Sequence, residues 1–416
     1  MSQSTSAKAY VFSREQVFAV AIISFLQFTI ILDFMILSPL GAILLEALHI
    51  TTSQFGLAVS AYAIAAGLSG FLAAGFADRF DRKRLLLFFY TGFVLGTLVC
   101  GVAPNYAVLL AGRIVTGLFG GVIGAISFAI LTDLFPLHVR GRVMGYVQSS
   151  FAASQVLGIP LGIFLATHLG WHAPFLLIAG VALVVGVVIL LRMRPVDAHL
   201  AHASGKSPLL HLWHTATRRR YQAGFAATTL LTTGGFMLMP FGSAFTVNNL
   251  GIALTALPVI YMITGVSSLG TGPLMGRISD RFGKYRTFCY ATVAAAAITL
   301  FYTRLGPTPI WEIIVINVVL FAAISARMIS AGALNSAMPE PADRGAYMAI
   351  NASLQQIAGG IASLAAGAVV VQHADGHLDH YPVLGYIVTG TMLASMLLLA
   401  RVDRLVNPPG GSAAAQ

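Results

Sequence analysis

Long apolar runs separated by short polar breaks occupy almost the whole chain. Twelve of these runs are about 20 residues long, the length that an α-helix needs to cross a hydrocarbon layer of about 30 Å. They lie near residues 17–42, 53–75, 85–103, 106–131, 143–167, 173–192, 221–247, 254–275, 286–304, 310–335, 346–371 and 382–401. Spans of this length without period-two alternation do not fit a β-barrel. The pattern predicts an all-α polytopic membrane protein with twelve transmembrane helices and no separate soluble domain.

Composition agrees with this pattern. Of the 416 residues, 57% are hydrophobic and only 9% are charged, and the mean hydropathy of +0.84 exceeds what a soluble core requires. The 42 glycines indicate close packing of membrane helices rather than loops. The first run is too long for a signal-peptide core and has no small-residue cleavage site after it, so we expect a retained helix.

Positive charge is distributed unevenly between the predicted loops. Nearly all of the 24 Lys and Arg fall on the side that holds both termini, the loops after even-numbered runs and the mid-chain linker. The positive-inside rule therefore predicts cytoplasmic termini in a plasma membrane, the inner membrane of a bacterium. This bias, together with contact with anionic lipid, explains the net charge of +10, so no nucleic-acid partner is inferred.

The chain also repeats itself. "AGFADRFDRKR" (74–84) follows the second run and "GRISDRFGKYR" (276–286) follows the eighth. Upstream of each copy, Pro39 and Pro240 interrupt the first run of their half. An internal repeat of this kind is typical of transporters built from two related halves.

The repeat predicts two pseudo-symmetric six-helix bundles joined by a polar segment. We assign residues 1–192 to the N-terminal bundle, 193–220 to a cytoplasmic linker, and 221–416 to the C-terminal bundle with its short cytoplasmic tail. No feature of the sequence requires more than a monomer.

Several short motifs stand in a fixed order along the chain. They are the loop signature at 74–84 with its second copy at 276–286, "RIVTGLFGG" (113–121), "SQVLGIPLG" (154–162), "GWHAPF" (170–175) and "LDFMILSPLG" (32–41). On these motifs the chain resembles the major facilitator superfamily of secondary transporters over essentially its full length. Within that family it is similar to the drug and sugar proton-antiporter efflux branch. It departs from the family pattern at Ala74, Asp81 and Thr116.

The resemblance implies a role for the loop signature. Asp78, with Arg79, Asp133 and Arg142, is expected to form an ion-pair cluster that holds the two halves together in the outward-open state. The full set of candidate latch residues is Asp78, Arg79, Arg82, Lys83, Asp133, Arg142, Asp280 and Arg281. The alternative is that these charges only fix the topology.

A carboxylate within the first apolar run is the clearest chemical anomaly. Asp33 and the fourth-run Arg113 are placed at a similar depth by the helical rise. An ion pair that forms or breaks with protonation stabilises different helix arrangements, which is the minimum that proton coupling requires. The resembling efflux branch assigns this role to residues at these positions. The alternative is a static pair that only orients the two helices.

Arg327 is the second anomaly. It falls in the tenth run, and the C-terminal half offers no acid at the same depth. An unpaired guanidinium that lines the cavity would favour an anionic substrate such as a carboxylate or phosphate ester. It would otherwise bond to carbonyls or Asn335, or extend towards the cytoplasmic face.

Other polar side chains are candidates for the wall of a central cavity, although helical phase alone does not decide which of them face it. The candidate substrate-binding residues are Gln27, Asp33, Gln148, Gln155, Arg327, Asn351 and Gln355, with Thr232, Thr233 and Gln356 as further polar positions.

The sequence contains no motif that indicates an enzyme. No phosphate-binding loop and no convincing catalytic set is present, so no cofactor is expected. The loop "HADGHLDH" (373–380) has metal-ligand residue types but is short and exposed, and we expect no metal there.

The favoured function is proton-coupled efflux of a small organic molecule. The alternatives are a uniporter or symporter for an organic anion bound through Arg327, and a non-transporting membrane receptor.

Overall fold

A computed structural model describes residues 12–73, 76–197 and 208–407 of the protein. The described residues form twelve long helical spans, numbered in order. They are Arg14–Ile36, Thr52–Ala73, Arg82–Gly101, Tyr106–Leu134, Val139–Leu169, His172–Arg192, Arg219–Asn248, Leu254–Phe282, Lys284–Tyr302, Ile310–Ala337, Arg344–Val369 and Tyr381–Val406. The first six spans make the N-terminal bundle and the last six make the C-terminal bundle.

Eleven of these spans are long and apolar enough to cross a membrane by length and composition alone. The exception is the ninth span, Lys284–Tyr302, which has 19 residues. Its first turn carries Lys284 and Arg286, and Thr287, Thr292 and Thr299 lower its apolar content further. Its length suffices for a crossing, and it packs between the tenth and twelfth spans as the twelfth crossing of the fold.

The two prolines of the repeat interrupt their helices as expected. The first span ends at Ile36 and continues after Pro39 as the short helix Gly41–Ala47. In the seventh span, Arg219–Leu238 passes through the 3₁₀ turn Met239–Phe241, which contains Pro240, into Gly242–Asn248. Proline lacks the amide hydrogen that an α-helix interior needs, so each helix bends there.

Other irregular segments are short. The fifth span consists of Leu137–Ala153, a π-helical turn Ser154–Gly158 and Ile159–Leu169. The eighth span begins with the 3₁₀ turn Leu254–Ala256 and continues as Leu257–Phe282. A 3₁₀ turn, Ala77–Arg79, lies in the signature loop, a helix Pro208–Thr217 lies in the linker, and strands Val371–Gln372 and Leu378–Asp379 pair as an antiparallel hairpin.

The packing differs between the two membrane faces. We call the face with the signature loop and most arginines the basic side, and the face with the hairpin the opposite side. On the opposite side, buried residues of both bundles form one core, in which the rings of Phe55 and Phe241 lie 5.8 Å apart. On the basic side, each bundle has its own core. The bundles therefore share one core on the opposite side and have separate cores on the basic side. The second and eleventh spans stay in contact towards the basic side, where a Cβ on Gly67 would lie 2.8 Å from the Ser353 carbonyl oxygen and Phe71 packs against the C-terminal core.

The second and eleventh spans make the closest contact between the bundles. Thr52 Oγ1 donates to the carbonyl of Val370 at 2.6 Å, and Ser53 Oγ donates to the carbonyl of Gly367 at 2.9 Å. A Cβ on Gly56 would lie 2.8 Å from the carbonyl oxygen of Ser363. Small residues thus let the two backbones approach.

The linker is anchored to the C-terminal bundle on the basic side. Arg218 forms ion pairs with Glu340 at 3.0 Å and with Asp343 at 2.7 Å. Tyr221 Oη donates to the same Asp343 carboxylate at 2.8 Å, and Leu212 of the linker helix is buried in this bundle's core. The linker was expected to be merely polar, but it contributes an amphipathic helix because its apolar residues recur at helical spacing.

Candidate functional site

Asp33 and Arg113 form an ion pair inside the N-terminal bundle. Arg113 Nη1 donates to Asp33 Oδ2 at 2.9 Å and to the Asp33 carbonyl at 3.2 Å. Thr97 Oγ1 donates to the other carboxylate oxygen at 3.2 Å. The exposed fraction is 0% for Asp33 and 1% for Arg113. Each charge therefore depends on the other, because bulk water does not reach either one.

Two glycines bring the third and fourth spans close enough for this pair. A Cβ on Gly96 would lie 2.8 Å from the backbone nitrogen of Thr116, and one on Gly112 would lie 2.6 Å from Cys100 Sγ. Thr97 and Arg113 directly follow these glycines in the sequence. The close backbone approach thus aims both side chains at the same point on the first span.

Sequence reasoning missed the aromatic contacts of this site. The Arg113 guanidinium lies 4.5 Å from the centroid of the Tyr62 ring. Phe34, next to Asp33, has its ring 5.2 Å from Tyr62 and 5.8 Å from Phe236 of the C-terminal bundle. We call Tyr62, Phe34 and Phe236 the aromatic bridge, because it connects the ion pair to the other bundle. The one visible signal in the sequence was a tyrosine in the middle of the second span.

The structure buries Arg327 within the C-terminal bundle. Its exposed fraction is 3%. Its Nε donates to Thr292 Oγ1 at 3.0 Å and its Nη2 to Ser395 Oγ at 3.4 Å, and the guanidinium carbon lies 5.5 Å from the centroid of the Phe288 ring. These partners belong to the ninth and twelfth spans, so the side chain does not face the space between the bundles. Among the described hydrogen bonds of Arg327, neither a carbonyl nor Asn335 is a partner.

The candidate amides Gln27 and Gln155 have different surroundings. Gln27 is buried, and its Nε2 has no hydrogen-bond partner in the part of the chain that the structure describes. Gln155, in the π-helical turn, accepts a hydrogen bond from Ser268 Oγ of the eighth span at 3.4 Å. A Cβ on Gly265 would lie 3.0 Å from the Gln155 carbonyl, so the fifth and eighth spans touch here.

The other polar candidates are dispersed. Asn351 is bound within its own bundle, where its Oδ1 accepts from Thr228 Oγ1 at 2.7 Å. Gln148 is exposed, and Gln355 and Gln356 are half-buried. Thr232 is buried with an unbonded hydroxyl, and Thr233 donates to the Thr229 carbonyl. Their side-chain contacts therefore do not converge on one point.

The signature loop forms contacts within its own bundle. Arg82 Nε binds the Asp133 carboxylate, and Arg142 lies over the ring of Phe12 at 4.5 Å. Asp133 and Arg142, two members of the expected latch cluster, thus contact the third-span Arg82 and the ring of Phe12 respectively. The side chain of Asp78 lies outside the described residues. Every ion pair described lies within one bundle or joins it to the linker.

The rest of the latch set has fewer partners. Lys83 Nζ donates to the carbonyl of Leu190 at 3.0 Å, and Arg79 is exposed. In the second copy, Asp280 is exposed and the Arg281 guanidinium lies 5.6 Å from the ring of Phe282. These side chains lie at the basic side, where each bundle has its own core.

Asp81, which departs from the family pattern, accepts two backbone hydrogen bonds through its side chain. Its Oδ1 accepts from the backbone N–H of Arg84 at 2.7 Å, which caps the third span. Its Oδ2 accepts from the backbone N–H of Val196 at 2.9 Å. The carboxylate thereby fixes the segment after the sixth span to the signature loop.

The His-rich loop folds as the hairpin on the opposite side. His373 Nε2 and Asp379 Oδ2 lie 2.6 Å apart, and both side chains are about half exposed. The hairpin docks through Asn249, which donates to the Leu378 carbonyl at 2.9 Å. In the described parts of the chain, no His, Cys, Asp or Glu group has the arrangement of a metal site.

Comparison with known proteins agrees with this architecture. The family model of the Major Facilitator Superfamily matches residues 23–320 and 224–416. The chain belongs to the major facilitator superfamily. As a member of this superfamily it is a multi-pass membrane transporter rather than an enzyme, and its substrate is a small molecule.

Relatives of this superfamily member are only distantly similar to it. It is 28% identical over 276 residues to the uncharacterised MFS-type transporter YceJ of Bacillus subtilis, covering 65% of this chain and 69% of YceJ. It is 24% identical over 385 residues to YbcL of the same organism, covering 92% and 95%. The structure of the nucleoside transporter NupG matches with a TM-score of 0.74 at 14% identity, covering 92% of this chain and 99% of NupG. That likeness concerns the fold.

Proposed function

We propose that this superfamily member is a proton-coupled exporter of a small, uncharged organic molecule, with both termini in the cytoplasm of a bacterial cell. The observation that carries the proposal is the fully buried Asp33–Arg113 pair. Among the described residues, Asp33 is the one carboxylate deep within a span. Ionisable groups at membrane depth are costly and usually functional.

The proposed coupling starts with protonation of Asp33. A neutral carboxyl no longer balances the charge of Arg113, so the guanidinium is left with neutral partners, among them the Asp33 carbonyl and the Tyr62 ring. Because Asp33 has no exposure to the space between the bundles, direct competition between proton and substrate is disfavoured in this state. The aromatic bridge offers the indirect path, since Phe34 touches both Tyr62 and Phe236. Movement of the first span would then bias the contact between the bundles.

Charge distribution supports the orientation. The basic side would face the cytoplasm by the positive-inside rule. The bundles have separate cores on that side and one shared core on the other. We therefore interpret this conformation as open to the cytoplasm, the state in which an exporter takes up its substrate.

We infer that the substrate is uncharged from the positions of the charged side chains that lie at membrane depth. Asp33, Arg113 and Arg327 are each at least 97% buried and bonded within one bundle. The side chains that meet between the bundles are amides, hydroxyls and aromatic rings, such as Gln155, Ser268 and Phe236. Such groups bind polar uncharged molecules without the desolvation of an ion.

The test begins with a thermal-shift screen of uncharged amides and heterocycles on the purified protein. Hits are then loaded into proteoliposomes with an imposed pH gradient. The wild type should move the compound uphill against its gradient. Asp33→Asn should lose uphill transport and keep downhill exchange, and Glu312→Gln, at the opposite end of the tenth span, should behave as the wild type. Normal coupling in Asp33→Asn would refute the proposed mechanism.

The same assay separates the other functions. Uptake of an organic anion that disappears in Arg327→Ala and survives in Arg327→Lys would favour an anion carrier instead. Binding of screen hits without any flux would indicate a receptor. The burial of Arg327 within its bundle makes the anion carrier the weaker alternative.

A further inference from the structure

The bundles meet along two edges, and the edge formed by the second and eleventh spans is closed on both sides of the membrane. Gly56 and Gly67 lie about three helical turns apart, and therefore on the same face of the second span. A Cβ on Gly56 would lie 2.8 Å from the carbonyl oxygen of Ser363, and one on Gly67 would lie 2.8 Å from that of Ser353. The backbones of these two spans therefore touch towards the opposite side and towards the basic side.

The edge formed by the fifth and eighth spans is closed only towards the opposite side. A Cβ on Gly265 would lie 3.0 Å from the backbone of the fifth span. Gly272 and Gly276 lie on the same face of the eighth span, about two and three turns nearer the basic side. A Cβ on either of them would have no described atom within 4 Å, and the same is true of Gly141 and Gly145 in the basic half of the fifth span. The two spans thus leave a gap beside these four glycines, which we call the lateral gap.

Amide and hydroxyl groups line the lateral gap. Gln148 lies about two turns from Gln155 on the same face of the fifth span, and its side chain is exposed. Ser149, next to it, is exposed as well. Across the gap, Ser268 of the eighth span donates to Gln155 at 3.4 Å. Gln148 stands roughly 13 Å inside the span that begins at Val139, so an amide is exposed at membrane depth.

This lining limits what passes through the gap. An exposed amide at membrane depth is unfavourable unless a hydrogen-bonding group meets it. The glycines leave room for an apolar body, and the amides of Gln148 and Gln155 receive a polar group one after the other. A molecule that dissolves in the bilayer and has a hydrogen-bonding group fits this arrangement. An ion does not, because it would have to lose its hydration in the hydrocarbon layer.

We propose that the substrate enters the space between the bundles laterally, from the cytoplasmic leaflet of the membrane, through the lateral gap. The substrate class is then an uncharged molecule that partitions into the bilayer, with an apolar body and a hydrogen-bonding group. Its polar group passes from Gln148 to Gln155, where the fifth and eighth spans touch. The inference rests on the proposed function for the direction of movement only, because the gap and its lining do not depend on protonation of Asp33.

Fluorescence quenching in lipid nanodiscs tests the gap without any substrate. A bimane label is attached to Gly272→Cys in a background of Cys100→Ala and Cys289→Ala. The matched control is a label on Gly70→Cys, since Gly70 occupies the corresponding position of the internal repeat, but a Cβ there would lie 3.7 Å from Ser353 Oγ on the closed edge. Phospholipids brominated along their acyl chains should quench the first label and leave the second nearly unchanged.

Two results of this experiment would overturn the proposal. One is equal quenching of the two labels by brominated lipid. The other is quenching of the Gly272→Cys label by aqueous iodide alone, because the gap would then open to water and not to lipid. A transporter without proton coupling, or one that imports its substrate, would refute the proposed function and leave the expected quenching pattern unchanged.

A second measurement uses the wild type, so that the proposal stays testable if a variant does not fold. The protein is reconstituted with a phospholipid that carries a photoreactive diazirine on its acyl chain, and the adducts are located by peptide mass spectrometry. Adducts are expected on Gln148 or Ser149 and not on Ser353 of the closed edge. Adducts that avoid both Gln148 and Ser149 would contradict lipid access to the gap.

The substrate class is tested with the hits of the thermal-shift screen. Gly272→Trp, which fills the gap, should slow the transport of these compounds and preserve their thermal shift. Gly180→Trp is the matched control, because Gly180 of the sixth span also has no described atom within 4 Å of an added Cβ but lies away from the gap. Transport that is unaffected by Gly272→Trp, or transported hits that all stay in water rather than in the bilayer, would overturn the proposed route.

Discussion

Each bundle buries one arginine at membrane depth, but only the N-terminal bundle provides an acid for it. Arg113 meets the Asp33 carboxylate at 2.9 Å, whereas Arg327 meets only hydroxyls of Thr292 and Ser395. The repeat explains part of the difference. Gly234 stands before Pro240 where Asp33 stands before Pro39, so the corresponding position has no side chain.

Burial has different consequences for an arginine that is paired with an acid and for one that is not. Moving a lone charge to the bilayer centre costs about 3 kcal/mol on insertion scales and more than about 10 kcal/mol in simulations. A pair avoids most of this cost but becomes sensitive to protonation of its acid. A cation without a carboxylate lacks that sensitivity. We therefore expect pH to act on the N-terminal bundle and not on Arg327.

The largest expected effect comes from removing the two arginines in turn. Arg113→Met leaves the Asp33 carboxylate buried without a counter-charge and should lower the free energy of unfolding by about 3–5 kcal/mol. Arg327→Met leaves only hydroxyls unpaired and should cost about 1–2 kcal/mol. Denaturant unfolding in detergent measures both. Adding Asp33→Asn to Arg113→Met should recover much of the loss, and equal losses for the two single variants would contradict the comparison.

The next largest effect on stability is expected from replacing a glycine that lies in close contact with a neighbouring span. Gly112→Ala would place a Cβ 2.6 Å from Cys100 Sγ beside the ion pair. This overpacking should cost about 1–3 kcal/mol. Gly235→Ala in the C-terminal bundle meets no atom within 4 Å and should be neutral or stabilising by up to about 1 kcal/mol. Thermal unfolding of the two variants provides the test, and a harmless Gly112→Ala would show that close packing does not position Arg113.

The two signature loops use different residues at the start of the following span. Asp81 caps the third span through its side chain, whereas Gly283 precedes the ninth span with a φ of +93°. Asp81→Ala should cost about 1 kcal/mol from the lost cap. Gly283→Ala should cost about 1–2 kcal/mol because its backbone lies in the left-handed region. Chemical denaturation measures each loss. If Gly283→Ala is silent, the backbone is not constrained there.

The smallest effect is expected for the exposed His373–Asp379 pair of the hairpin. It contrasts with the buried Asp33–Arg113 pair. The hydrogen bond and charge of Asp379 raise the pKa of His373, and the hydrogen bond from His373 lowers the pKa of Asp379. The His373 contribution is present below its ordinary pKa and is lost as the pH rises through the raised value. The Asp379 contribution is lost as the pH falls through its lowered value. Hydrogen exchange of the hairpin amides should therefore be slowest between these two values.

His377 and Asp375 also lie beside this pair and contribute charge to it. Asp379→Asn should remove the pH optimum of the exchange rate and leave transport unchanged. A pH optimum that persists in Asp379→Asn would assign it to another group.

Individual spans show how much of this molecule the sequence predicts. The fourth run, predicted at 106–131, forms the helix Tyr106–Leu134, and the ninth, predicted at 286–304, forms Lys284–Tyr302. Hydrophobic length is a local property, so it predicts such elements well. Their predicted and observed ends differ by at most three residues, because caps and loops set them.

The candidate site was less predictable. Composition alone marked Asp33, Arg113 and Arg327, since charges are rare in apolar runs. It did not mark Thr97 or Tyr62, and it left open whether Arg327 lines the cavity, whereas the structure buries this side chain against the ninth and twelfth spans. Helical phase relative to a neighbour is not encoded locally when a span is apolar on every side.

The sequence by itself thus determined that the chain crosses the membrane repeatedly, that its halves are related, and which residues are costly to bury. Hydrophobic length and charge decide these properties within a single segment. Only the tertiary structure decided which partner each buried charge has and on which side the bundles separate. These depend on the contacts between spans far apart in the sequence, such as the glycine approach that brings Arg113 to Asp33.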